Sequence, residues 1–168
     1  MADIPFRLRV LQALTSVLQG ITPANGYNYD LSDCVFRGRL FFGDGDPIPL
    51  VSVLEAPLPD EPDLVPAAGT YWKGRWRLMV QGWVDDDKEN PTDPAHFLLA
   101  DVKKVLAEER KKMLGRGGNS VLGMDGRVTD LIIGSHVVRP AEEHVNAYAN
   151  FLLSVSLEIA ENMADPYA

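Results

Sequence analysis

One cysteine, Cys34, stands in the 168 residues. A lone thiol closes no intramolecular disulfide and supplies no cysteine cluster for zinc, and this composition fits a reducing compartment. No apolar run approaches the roughly 20 residues of a membrane helix. The opening Met-Ala-Asp-Ile-Pro lacks the basic start and apolar stretch of a secretory signal. A soluble protein made in a cytoplasm, with no membrane partner, is therefore expected. A basic arm is missing as well: 16 Lys and Arg stand against 24 Asp and Glu, for a net charge of −8. Acidic residues occur along the whole chain and form no tail. Such a surface disfavours non-specific nucleic-acid binding, which draws on cations that neutralise phosphates. It suits a surface past which DNA slides without sticking.

The templates of catalysis fail on named residues. Asp85-Asp86-Asp87-Lys88-Glu89-Asn90 groups carboxylates, but Asn90 stands where a calcium loop needs its glycine and the terminal acid is missing. The run reads as a solvated turn, with a metal-dependent hydrolase as the minority alternative. Gly115 to Gly126 is glycine-rich, yet a helix precedes it and Met124 follows Gly123, where a phosphate loop needs lysine. It reads as a helix-to-strand connection. His96, His136 and His144 form no i, i+4 pair, no Gly-x-Ser-x-Gly elbow is present, and nothing local supports a Cys34–His dyad. No enzyme, metal or cofactor is expected.

What the chain has is a strong alternation of element types. Val10, Leu11, Leu14, Val17, Leu18 and Ile21 fall at helical spacing and predict a helix over 5–20, with Asp3 as its cap. Val35 to Phe42 and Leu50 to Leu54 read as strands of a long-loop hairpin. Residues 56–70 hold Pro57, Pro59, Pro62 and Pro66, and read as a projecting arm because proline removes a backbone donor. Residues 71–84 alternate with period two, Trp72, Trp76, Leu78, Val80 and Val84 against Lys73, Arg75, Arg77, Gln81 and Trp83. Asp93 as cap and Pro94 in the first turn start a helix to about Leu114. Val128 to Ile133 is a short strand, 134–143 a loop, and 145–159 the longest strand, with Leu152 breaking its alternation. A short flexible tail follows residue 161 or so. The order predicts one domain over 1–168 of the α+β class: a mostly antiparallel sheet of about four to five strands with two helices packed on one face.

Two groups bear on partners. Arg37 and Arg39 share a predicted strand with Phe36 and Phe41. A basic-aromatic strand can stack single-stranded nucleic acid, but in an acidic protein it reads as a strand face or subunit contact. Trp83 lies on the polar side of its strand; a partly buried structural role is its default reading, with capping of the sheet edge or a partner anchor as the alternatives.

Several segments carry a family resemblance together: Leu8-Arg9-Val10-Leu11-Gln12-Ala13-Leu14, Gly20-Ile21-Thr22-Pro23-Ala24-Asn25-Gly26-Tyr27, Val35-Phe36-Arg37-Gly38-Arg39 and Val51-Ser52-Val53-Leu54-Glu55-Ala56-Pro57. Next come Gln81-Gly82-Trp83-Val84, Asn90-Pro91-Thr92-Asp93-Pro94-Ala95, Gly126-Arg127-Val128-Thr129-Asp130-Leu131 and Val138-Arg139-Pro140. In order and spacing, over about residues 7–160, they resemble the tail-terminator or tail-completion proteins of long-tailed bacteriophages, which share the lambda-type terminator fold. The resemblance implies a structural virion protein: a homohexameric ring on the head-proximal end of the tail, assembled in the host cytoplasm. Its partners are other copies of itself, the major tail tube protein and the head-tail connector or neck protein, and DNA passes through without specific binding. Another neck or head-completion protein is the structural alternative. Ring closure needs heterologous contacts, expected from loops 43–48, 56–70 and 134–143. The candidate interface residues are thus Arg37, Arg39, Asp44, Asp46, Pro57, Pro59, Pro62, Trp83, His136 and Arg139. Asp85, Asp86, Asp87 and Glu89 are expected to line the lumen.

Overall fold

The computed structural model describes residues 3–43, 45–57, 64–114, 121–142 and 147–167. Among the described residues there are two α-helices, α1 (Phe6–Gln19) and α2 (Asp93–Lys111). Six strands form one sheet: β1 (Val35–Arg37), β2 (Leu50–Glu55), β3 (Leu64–Ala68), β4 (Tyr71–Val84), β5 (Val128–Arg139) and β6 (Ala149–Asn162). The order is β1-β2-β4-β6-β5, and β3 pairs with β4. Every pair is antiparallel except β1–β2. This is the expected α+β class, with six strands rather than four to five. The added strand comes from the proline-rich segment, where Leu64–Ala68 pairs with Tyr71–Gly74 across a turn at Gly69-Thr70. Pro66 is tolerated there because β3 is an edge strand.

The long antiparallel pair β4–β6 is the spine. Its register runs unbroken from Tyr71 opposite Asn162 to Val84 opposite Ala149. Directly opposed residues share a face, so Trp76 with Leu157, Leu78 with Val155 and Val80 with Leu153 point the same way. On that face Phe6, Val10, Leu14 and Leu18 of α1 and Leu98, Val102 and Leu106 of α2 close a core whose members are almost fully buried. Fully burying a side chain of this size contributes about 1.5–3 kcal/mol. Gly82 lies opposite Phe151. A Cβ on Gly82 would sit 2.4 Å from the Phe151 ring and 3.2 Å from Leu98, so glycine is what lets the ring lie over β4.

Polar ties hold the layers. The buried Asp101 carboxylate on α2 accepts hydrogen bonds from the backbone amides of Asn28 and Tyr29 and from the Asn28 side chain, at 2.7–3.1 Å. Tyr29 donates its hydroxyl to the Pro94 carbonyl, and burial pushes its phenol pKa upward. Buried Glu109 accepts the Leu122 amide at 2.7 Å and pairs with Lys112 at 2.5 Å.

Several local expectations are corrected. Asp3 does not cap α1: Pro5 holds the cap position without a side-chain bond, and the Phe6 amide donates to the Pro166 carbonyl at 2.8 Å. The tail after Asn162 is therefore tied down, and an orphan helix amide is satisfied by the far end of the chain. Thr92, not Asp93, holds the α2 cap position; Asp93 lies inside the first turn, where its charge still complements the helix dipole. The expected hairpin of 35–42 and 50–54 is a parallel pair. Gly38 turns the chain at φ 73, β1 ends at Arg37, and residues 38–49 cross over before β2 begins, as parallel pairing requires. The expected loop 134–143 is largely strand: β5 continues to Arg139, with a register shift between Ile133 and His136.

Candidate functional site

The second face of the sheet carries Leu50, Ser52, Leu54, Met79, Gln81, Trp83, Leu152 and Val137 by the same register. No helix covers it. Part is covered by the segment after Gly38. The Gln81 amide donates to the Arg39 and Leu40 carbonyls at 3.4 and 3.1 Å, and the Arg39 amide donates to the Ser52 hydroxyl at 3.2 Å. The Arg39 guanidinium lies 3.8 Å over the Phe36 ring and pairs with Asp46. Asp46 also accepts the Gly43 amide at 2.7 Å, and this bond, with Arg39, holds its carboxyl below the usual range. Phe42 packs edge-on against Trp83 and Tyr148, at 5.8 and 4.8 Å between ring centres.

Anchored this way, the segment leaves its two middle apolar side chains in solvent. Phe41 is 81% exposed and Leu40 62%. Beside the covered half lies an open groove of about 410 Å³. Met79 and Leu152 belong to its central strands, Ala56 and Pro57 line it beyond β2, and Val137 lines it on β5. Glu55, Arg77, Ser135, His136 and Ser154 supply its polar atoms. Beyond Met79 the same face of β4 continues through exposed Arg77, Arg75 and Lys73, and Arg75 pairs with Glu158 at 3.1 Å.

The expected interface residues divide. Pro57 and His136 line the groove. Arg39 and Asp46 fix the exposed segment rather than offering free charges. Arg37 donates to the Thr15 hydroxyl at 3.0 Å and ties β1 to α1. Trp83 is buried beneath Phe42 and presents no free anchor; its polar-side position in the alternation is covered by a segment that contact, not pattern, brings there. Arg139 is exposed at the end of β5. Asp85, Asp86, Asp87 and Glu89 are all exposed, and Asp87 accepts the amides of Glu89 and Asn90 as a turn. Asp44, Pro59, Pro62 and His144, and Gly115 to Ser120 of the glycine-rich segment, lie outside the described residues. Leu40, Met79 and Val137 carry no sign of this in the sequence; Phe41 appears there as part of a basic-aromatic strand read as a strand face or subunit contact, and Leu152 as the break in the β6 alternation.

Among the described residues no three His, Cys, Asp or Glu side chains gather as metal ligands, and no helix is long and apolar enough to cross a membrane. The chain matches no protein-family profile and no curated protein.

Proposed function

We propose that this chain is a structural virion protein, a tail terminator that forms a ring on the head-proximal end of a phage tail tube. In this role it stops tube polymerisation and presents a surface to the head connector. The ordered resemblance across residues 7–160 supports the reading. The observation that carries it furthest is the open sheet face, where an exposed Leu40–Phe41 pair stands beside an apolar groove. An apolar surface of this kind is what a neighbouring protein covers. Ring formation needs a subunit contact and two unlike faces, and no reacting group.

Adding the purified chain to polymerising tail-tube subunits and measuring tube lengths by electron microscopy tests the proposal. Capped tubes with arrested growth are expected. Tubes that elongate as if the chain were absent overturn it. Particles assembled without the chain are expected to carry overlong or unjoined tails; normal-length tails on leaking heads point to a head-completion role instead.

A further inference from the structure

We infer that the groove and the basic stripe of one copy receive the Leu40–Phe41 loop and the acidic run of a second copy of this chain. The inference supplies the subunit contact of the proposed ring and to that extent rests on that reading. Two complementarities carry it. The first is apolar: Phe41 and Leu40 stand 81% and 62% exposed, held out by a loop whose own backbone is fastened to Ser52 and Gln81, while a groove of about 410 Å³ lies open on Met79, Leu152 and Val137. A rigid aromatic entering a preformed apolar site loses little conformational freedom.

The second complementarity is electrostatic. Phe42 touches Trp83, and the acidic run starts two residues beyond Trp83, so the apolar loop and the acids stand at the same end of β4. On the receiving side the exposed Arg77, Arg75 and Lys73 follow Met79 along the same strand face, with Arg75 already paired to Glu158. An apolar loop with acids at its end of β4 thus complements an apolar groove with bases along the same strand. Opposed patches of this kind fix register and reject wrong partners.

Sedimentation of the full chain over a range of concentrations tests the contact. Assembly above the monomer is expected, weakening as salt rises. Phe41→Asp is expected to weaken it about tenfold or more, and Val137→Asp, on the groove side and already 42% exposed, is expected to do the same. Mixing the two variants restores one contact, because each keeps the half the other lacks; two chains that are monomers apart then sediment as pairs. Lys73→Glu and Asp86→Lys are each expected to weaken assembly several-fold and to offset each other when combined. Circular dichroism of these surface variants reads their fold directly.

A strict monomer overturns the inference, as do Phe41→Asp and Val137→Asp chains that assemble unchanged, or monomeric variants that fail to pair on mixing. A closed dimer that is lost in both variants keeps this contact and removes the ring. Tube capping that survives Phe41→Asp undiminished keeps the tail-terminator reading and removes this contact.

Discussion

The two faces of the sheet are built from the same strands and differ in what covers them. One lies under α1 and α2, and its central side chains, Phe151, Leu153, Val155 and Leu157, are fully buried. The other is covered in part by the segment after Gly38, and Met79 and Leu152 remain partly open. Neighbouring residues of one strand, Phe151 and Leu152, therefore belong to different environments. The first face holds the fold together, and the second leaves apolar surface for another molecule.

Phe151→Ala should break this contrast most strongly. Emptying a fully buried aromatic site costs about 3–5 kcal/mol, measurable by urea denaturation. Leu152→Ala, one residue away, is expected to cost clearly less, about 1 kcal/mol, in line with partial burial. Equal losses at the two positions would mean that the second face is as closed as the first.

Asp101→Ala comes next. It removes the acceptor of three hydrogen bonds from Asn28 and Tyr29 in a position only 4% exposed. The carboxylate is buried, but its donors sit on exposed Asn28 and half-buried Tyr29, where water can take over part of the pairing, so the loss is expected to be about 2 kcal/mol. Faster amide exchange at Asn28 and Tyr29 would locate the damage. Gly82→Ala is expected to cost about 2 kcal/mol by overpacking, since the new methyl meets the Phe151 ring at 2.4 Å. Combining Gly82→Ala with Phe151→Leu should recover part of that loss, because the obstructing ring is gone. A double variant no better than the sum of its parts would show that Leu98 or the backbone, not Phe151, sets the limit.

The contrast also explains what could be read from sequence. α1, β4 and β6 follow from periodicity because each buries one regular stripe against the helix layer. Gly38 ends β1 through its φ of 73, which local pattern does not announce, since the apolar Leu40-Phe41-Phe42 invites continuation of the strand. Local pattern does not say that this segment crosses over the sheet and shields Trp83. That contact depends on Gln81 and Ser52, polar residues whose hydrogen-bond partners lie about forty and thirteen positions away. The groove was equally hidden, because its lining comes from β4, β5, β6 and the residues after β2. The break at Leu152 was its single local sign, an apolar residue on the face that alternation had assigned to polar ones.

The smallest expected effect concerns the rim of the helix-covered face. Arg110 of α2 holds Asp130 of β5 through two hydrogen bonds at 2.9 and 3.1 Å, and this pairing keeps the Asp130 carboxyl below its ordinary value of 3.8. The Arg110 side chain is 46% exposed, so solvent screening limits the pair to no more than about 1 kcal/mol. A carboxylate whose pKa is depressed by folding contributes stability above its unfolded pKa and loses it as pH falls through the folded value. The unaltered chain and Arg110→Ala should therefore differ by a small, constant amount above about pH 5. The two stability curves should converge as Asp130 protonates near and below pH 3.8. A difference that persists undiminished into strong acid would show that Arg110 acts through packing of its alkyl stem on β5 and not through its charge. A difference as large as that of Phe151→Ala would mean that rim charge, rather than the buried core, fastens the helix layer to the sheet.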